Sequence, residues 1–164
     1  MESSQSAPHR KDPMYSPEGS AFPFVARITE PAKTLLVVDD DPMVRDVQTQ
    51  LLRQQGYKVL EAESATEALR LAATTVPIHL LITDLTMPEI DGFELTRQFR
   101  SVHPETPVLM VSGSFQFLRV KRKPDLGRFD FLAKPFEYDE LLHKVRTLLD
   151  AVAPLPIRGL LCSE

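Results

Sequence analysis

Five short apolar runs, each followed by a stretch with helical spacing, constrain this chain more than any other feature of its sequence. The first and third runs are nearly continuous rather than alternating, which is typical of strands buried on both faces of a parallel sheet. The five runs occupy residues 35–38, 57–60, 78–83, 107–111 and 128–133. Such a repeat predicts an α/β fold with one parallel sheet that helices cover on both faces.

The stretches between these runs carry helix signals of two kinds. Asp41 and Ser64 are possible N-caps, because each stands just before an apolar repeat with helical spacing, and Asp91 and Gly92 lead into a third helix. Pro124 is expected to cut the fourth helix short, since proline interrupts the hydrogen-bond ladder of a helix. The predicted helices cover residues 42–54, 65–72, 92–102, 115–123 and 137–151.

Composition excludes several classes of protein. The 164 residues carry a net charge of −4, which does not favour a non-specific nucleic-acid binder. No apolar run approaches the ~20 residues of a membrane helix, and the first residues lack the apolar core of a secretory signal. A single cysteine, Cys162, cannot form an internal disulfide, which favours a reducing compartment. We therefore expect a cytoplasmic protein without a membrane segment.

The chain divides by composition into three parts. Residues 1–33 are rich in serine, proline and charge, so they are expected to form a flexible N-terminal tail. Residues 34–152 hold all the apolar runs and are expected to form one domain. Residues 153–164 are expected to form a short C-terminal tail.

Polar side chains with distinct chemistry follow four of the five predicted strands. They are, in chain order, Asp39, Asp40, Asp41, Asp84, Ser112 and Lys134. Each alone has an ordinary explanation as a helix cap, a turn residue or a solvated charge. Ligands of open α/β sheets bind at the carboxyl ends of the strands, where all these residues fall. Their common location therefore predicts a site.

The chemistry of that site follows from its charges. Carboxylates packed together repel, and a divalent cation such as Mg²⁺ removes the penalty. Asp40 and Asp84 could ligate the ion directly, with Asp39 acting through water. A carboxylate can also act as a nucleophile and form an aspartyl phosphate. Lys134 and the Ser112 hydroxyl would then bind the remaining phosphoryl oxygens.

Four stretches of the chain resemble the receiver domain of two-component response regulators. They are LLVVDDDP at 35–42, LITDLTMPEIDG at 81–92, VLMVSG at 108–113 and FLAKPF at 131–136. Their order and spacing are receiver-like over about residues 33–152. The resemblance implies a flavodoxin-like, doubly wound sheet of five parallel strands in the order 2-1-3-4-5, with helices on both faces.

The resemblance also implies a role for each acidic residue. Asp84 corresponds to the phosphoacceptor. Asp39 and Asp40 correspond to the acidic pair that holds Mg²⁺ together with Asp84. The backbone carbonyl of Thr86 corresponds to the group that completes the metal site.

Three further residues have implied roles. Lys134 corresponds to the lysine of the site, and Pro135 to the residue that usually follows a cis peptide bond. Ser112 corresponds to the switch hydroxyl, and Phe131 to the switch aromatic residue. Phosphorylation would move Ser112 towards the phosphoryl group, and Phe131 would fill the vacated space.

The sequence departs from the receiver pattern at three places. Phe131 stands where tyrosine is frequent, so it cannot offer a hydroxyl at the surface. Thr86 and Ser114 occupy the two positions that tune access of the hydrolytic water. The segment 119–123 is unusually basic and is followed by Pro124, which puts the usual helical signalling surface in doubt.

The resemblance implies a phosphoacceptor domain of a two-component phosphorelay. A sensor histidine kinase or a histidine-containing phosphotransfer protein would supply the phosphoryl group, and an unknown downstream protein would read the altered surface. The chain would not be an enzyme beyond self-catalysed phosphoryl transfer and hydrolysis. We also expect no DNA-binding domain, because about a dozen residues follow position 151.

Two alternatives stay open. The first is a haloacid-dehalogenase-like, Mg²⁺-dependent phosphohydrolase, whose nucleophile lies on the first strand; residues 39–41 fit its D-x-D motif loosely. The second is a receiver fold that binds proteins without being phosphorylated.

Overall fold

The computed structural model describes residues 32–75, 77–113 and 127–151. All of them belong to the second of two units into which the chain divides, Pro31–Glu164, and the first unit is Met1–Glu30. The predicted helix at 115–123, the basic segment 119–123 and Ser114 lie outside the described residues. Residues 1–31 and 153–164 of the two predicted tails also lie outside them.

Five strands pair in parallel to form one sheet, as predicted. The strands are β1 (Thr34–Val38), β2 (Lys58–Ala62), β3 (Leu80–Asp84), β4 (Val108–Ser112) and β5 (Phe129–Ala133). Their order across the sheet is β2-β1-β3-β4-β5, which confirms the order that the resemblance implies. Every residue of β1, β3 and β4 is buried, which explains why these strands read as continuous apolar runs.

Helices cover both faces of this sheet. They are α1 (Pro42–Gln54), α2 (Ala65–Thr74), α3 (Gly92–Phe99) and α4 (Tyr138–Asp150). The two predicted N-caps are confirmed, since the side chains of Asp41 and Ser64 each accept a backbone hydrogen bond from the first turn. The Asp91 side chain caps α3 in the same way. No helix in the described ranges has the length and apolar character that a membrane crossing requires.

The prediction that α3 extends to Val102 was wrong. The helix ends at Phe99, and Val102 lies in the following turn with 52% of its surface exposed. Tight turns replace the helix there, with the Val102 N–H donating to the Phe99 carbonyl. The buried His103 side chain then fixes the chain by a 2.9 Å hydrogen bond to the carbonyl of Ala72 in α2.

The core lies in two layers because successive β1 residues point to opposite faces. Leu36 and Val38 pack with α2 and α3 on one face. Leu35 and Val37 pack with α1 and α4 on the other face. The carboxyl ends of the strands therefore open between the two layers of helices, which is where this fold class binds ligands.

Two guanidinium groups join the elements at the amino edge of the sheet. Arg128, just before β5, donates to the carbonyls of Leu148 and Ala151 at the end of α4. Arg100, just after α3, donates to the carbonyls of Arg128 and Pro104 at 2.7 Å each. Cations bind the free carbonyls at helix carboxyl ends favourably. This Arg100–Arg128 rim thus connects α3, β5 and α4.

We expect Gly92→Ala to destabilise the fold because α3 starts against the backbone that follows β3. A Cβ at position 92 would lie 2.5 Å from the Asp84 carbonyl oxygen and 3.0 Å from the Leu85 Cα. Overpacking against backbone should lower the free energy of unfolding by about 1–3 kcal/mol, measured by urea unfolding followed by circular dichroism. Gly113→Ala is the control, since its Cβ would lie 4.0 Å from the Lys134 Cβ. Equal losses in the two variants would contradict the steric argument.

Candidate functional site

Lys134 brings together two of the predicted acidic residues. Its Nζ lies 2.7 Å from Asp84 Oδ1 and 2.9 Å from Asp39 Oδ2. Lys134 follows β5, Asp84 is the last residue of β3, and Asp39 follows β1. Because β4 lies between β5 and β3 in the sheet, the Lys134 side chain reaches across the end of β4. Its backbone N–H donates to the Ser112 carbonyl at 2.8 Å, which fixes where the side chain starts. The Lys134–Pro135 peptide bond is cis, as the resemblance implies.

Both carboxylates are held firmly in the protein interior. Asp39 is 2% exposed and Asp84 is 8% exposed. The second oxygen of Asp84, Oδ2, accepts the Thr86 N–H at 2.6 Å, and Asp39 Oδ1 accepts the Asp41 N–H at 3.0 Å. Each carboxylate is therefore bound by the ammonium on one side and by a backbone N–H on the other.

The electrostatics of the cluster show a shortage of positive charge. Burial raises the pKa of the Asp39 carboxyl above 3.8, and this effect exceeds the lowering by the hydrogen bonds from Lys134 and the Asp41 N–H. Burial lowers the pKa of the Lys134 ammonium, but the bonds to Asp84 and Asp39 and their charges outweigh it and raise the pKa above 10.5. Two buried carboxylates thus share one cation.

The structure places the other predicted site residues around this cluster. Asp40 follows Asp39 with an exposed side chain, and Thr86 is exposed just after β3. Ser112 is buried at the carboxyl end of β4. Phe131 is half-buried in β5, with its ring 5.4 Å from Phe129 and 6.5 Å from Phe93, in edge-to-face geometry.

A ready-made metal centre is absent from the ranges that the structure describes. Among these residues, no three carboxylate, imidazole or thiol groups stand together as a set of metal ligands. The Lys134 ammonium, rather than a third carboxylate, lies between Asp39 and Asp84. The arrangement nevertheless offers oxygen donors, which hard divalent cations prefer.

Arg45 is a residue of the site that the sequence reasoning missed. It lies on α1, and its Nη1 donates to the carbonyl of Asp39 at 2.6 Å. Its Nε lies 4.0 Å from Glu61 on β2, and its side chain is mostly buried. The bond fixes the peptide that joins Asp39 to Asp40. A basic residue one turn into the helix after an acidic run is the signal that could have indicated it.

Glu89 lies in the loop between Asp84 and α3 with a φ of 64°, in the left-handed region. A side chain with a Cβ is strained there, whereas asparagine tolerates this conformation. We expect Glu89→Asn to raise the free energy of unfolding by roughly 0.5–1 kcal/mol in urea titrations. Glu89→Ala removes the same charge but keeps the strain, so it should give no such gain. A gain of similar size in both variants would show that charge, not backbone strain, is responsible.

Comparison with known proteins gives a consistent result. Residues 35–146 match the profile of the response regulator receiver domain. The response regulator MprA of Mycobacterium sp. (strain KMS) is 38% identical over 120 residues, which cover 73% of this chain and 52% of MprA. The chain therefore spans about half the length of this curated relative.

Solved structures show the same likeness. A receiver domain protein from Methanospirillum hungatei JF-1 superposes with a TM-score of 0.69 at 28% identity, covering 74% of this chain and 96% of that one. The chemotaxis protein CheY4 of Vibrio cholerae superposes with a TM-score of 0.67 at 29% identity, covering 73% of this chain and 100% of that one. The chain thus belongs to the family of response regulator receiver domains, which are signalling modules of two-component systems.

Proposed function

We propose that this chain accepts a phosphoryl group on Asp84, with Mg²⁺, from a phosphohistidine of a partner protein, and that phosphorylation switches a protein-interaction surface. The contact of Asp84 with Lys134 beside Asp39 carries this proposal. It joins a nucleophile, a cation and a second carboxylate at one edge of the sheet. We propose residues 34–152 as the receiver domain.

The chemistry assigns a task to each group of the cluster. Asp84 Oδ1 would attack phosphorus, so that an O–P bond forms while the P–N bond to the partner's histidine breaks and the electron pair leaves with the imidazole. Lys134, now 2.7 Å from Oδ1, would stabilise the charge on the transferred group. The Thr86 N–H, which donates a hydrogen bond to Asp84 Oδ2, keeps the carboxylate oriented.

The residues present fit a magnesium ion. Receiver domains generally bind Mg²⁺ at this acidic pocket, and here two buried carboxylates share a single ammonium group. Asp39, Asp40, Asp84 and the Thr86 carbonyl would hold the ion. When bound, Mg²⁺ neutralises charge on the phosphoryl oxygens and orients the group.

Ser112 and Phe131 are the residues that we propose for the switch. The Ser112 hydroxyl would bind a phosphoryl oxygen, and the Phe131 ring would fill the space released. A phosphoryl group adds about −1.5 to −2 charges, so the change is a shift between two populations rather than a new fold. The half-buried position of Phe131 on β5 allows its ring to report this shift at the surface.

The partner is proposed from the chemistry of the site. A sensor histidine kinase or a histidine-containing phosphotransfer protein would supply the phosphohistidine, and an unidentified protein would read the altered surface. We place this exchange in the cytoplasm, where such kinases present their phosphohistidine. The chain's own chemistry is then limited to phosphoryl transfer and hydrolysis at Asp84.

Incubation with acetyl phosphate and Mg²⁺, followed by intact-mass measurement and mapping, tests the proposal. We expect one phosphoryl group per chain, located on Asp84. Modification at residues 39–41 with turnover of small phosphate esters would instead favour a phosphohydrolase. A lack of labelling, together with unchanged NMR signals on addition of beryllofluoride and Mg²⁺, would favour a fold that binds proteins without phosphorylation.

A further inference from the structure

An apolar groove runs between α1 and the start of α4. Its volume is about 390 Å³, and its walls include Met43, Val47, Leu51 and Tyr138. Lys134, whose ammonium group contacts Asp84, is also one of the lining residues. We call it the α1–α4 groove.

The exposed apolar side chains of the described residues concentrate at this groove. Met43, Val47 and Tyr138 are 79%, 48% and 57% exposed, and Val102 is the remaining large hydrophobic residue with a comparable exposure. Apolar side chains scattered singly over a surface are ordinary, but three around one groove indicate a surface that another segment covers.

The groove continues towards the end of α4. A second depression of about 210 Å³ extends it along α1 from Val47 to Gln54. Beyond this, the Arg146 side chain of α4 donates to Gln55 Oε1 at 2.9 Å. The lower end of the groove therefore lies beside the last turns of α4, close to where the chain leaves that helix.

The sequence that follows α4 has the composition such an occupant needs. Residues 152–164, VAPLPIRGLLCSE, contain five branched apolar residues. Thirteen extended residues reach roughly 40 Å, about twice the ~20 Å length of a thirteen-residue helix. Arg158 stands between the apolar residues, and exposed Asp139 and Glu140 occupy the first turn of α4. Length, apolar content and charge all match.

We propose that residues 152–164 fold back along α4 and occupy the α1–α4 groove. Their apolar side chains would cover Met43, Val47 and Tyr138. This contact does not depend on the proposed function.

Cys162, the single cysteine of the chain, allows a direct test in the unmodified 164-residue chain. A nitroxide spin label on Cys162 shortens the relaxation of nearby protons, so amide signals close to the segment lose intensity. We expect Val47, Leu51 and Tyr138 to lose most of their signal. Residues of α2, on the opposite face of the sheet, should keep theirs. Equal intensity at α1 and α2 would overturn the proposal.

Two matched variants and one mixing experiment complete the test. Val47→Asp places a charge in the groove and should restore the lost signals, whereas Val102→Asp, at an equally exposed site away from the groove, should leave the loss unchanged. Restoration by both variants, or by neither, would overturn the proposal. Signal loss in a mixture of labelled chain with isotope-enriched Cys162→Ser chain would assign the groove to a second copy instead. The NMR samples contain neither a phosphoryl donor nor Mg²⁺. The outcome of this test therefore does not depend on whether Asp84 is phosphorylated.

Discussion

Asp84→Asn is expected to abolish labelling of this chain by acetyl phosphate and Mg²⁺. The carboxamide keeps the shape of the side chain at the end of β3 but has no anionic oxygen to attack phosphorus. Intact-mass measurement should show no added phosphoryl group under conditions that label the unmodified chain completely. This effect is the largest that the site predicts, since it is a loss of the reaction rather than a change of rate.

Asp46→Asn is the control for this experiment. Asp46 is an exposed aspartate on α1 whose carboxylate accepts a 2.8 Å hydrogen bond from Gln50, away from the acidic cluster. Its variant should be labelled like the unmodified chain. Persistent labelling of Asp84→Asn, with the group mapped to another aspartate, would refute the assignment of the acceptor.

Lys134→Met should cause the largest loss of stability among substitutions at the site. Removing the ammonium leaves Asp39 and Asp84 buried and close together without their shared cation. Breaking a buried pair in this way typically costs about 3–5 kcal/mol. Urea unfolding at neutral pH without Mg²⁺, followed by circular dichroism, measures the loss.

A second lysine pair provides the matched control. Lys144 lies 2.6 Å from Asp130, whose side chain is 41% exposed, whereas both acidic partners of Lys134 are buried. Lys144→Met should lower the free energy of unfolding by about 0.2–1 kcal/mol, because water screens the pair. Losses of similar size in Lys134→Met and Lys144→Met would show that Asp39 and Asp84 do not depend on the ammonium.

The pH dependence of the Lys134 contribution has a definite sign. Because the pKa of Lys134 is raised in the fold, its contribution is fully present below pH 10.5 and is lost as the pH rises through the folded pKa. Because the pKa of Asp39 is raised, its ionisation opposes folding, and stability is recovered as the pH falls through the folded pKa towards 3.8. The loss of unfolding free energy caused by Lys134→Met should therefore become smaller in acid. The loss of stability that the unmodified chain shows at high pH should be absent from that variant.

Local signals in the sequence were sufficient to predict the strands and the first residues of the helices. Strands buried on both faces have to be continuously apolar, so β1, β3 and β4 were recognisable. Asp41, Ser64 and Asp91 cap helices through bonds within one turn, which the local sequence also encodes. The strand order came from the family resemblance, because hydrophobic periodicity says nothing about which strands are neighbours.

Side-chain hydrogen bonds to backbone carbonyls explain what sequence reasoning missed. Arg45 binds the Asp39 carbonyl, and His103 binds the Ala72 carbonyl across the gap between two helices. A side chain that bonds to a backbone carbonyl leaves no residue-specific signal at its partner's position. The helix end at Phe99 was missed for the same reason, since contacts made by His103 determine the path of the following turn.

The Arg100–Arg128 rim and the acidic cluster lie at opposite ends of β5. The five residues of this strand separate them by roughly 17 Å. The guanidinium contacts of the rim can therefore be varied without replacing a residue of the acidic cluster. A protein engineer who needs a hardier biosensor module can alter the contacts of Arg128 and leave the contact between Lys134 and Asp84 in place.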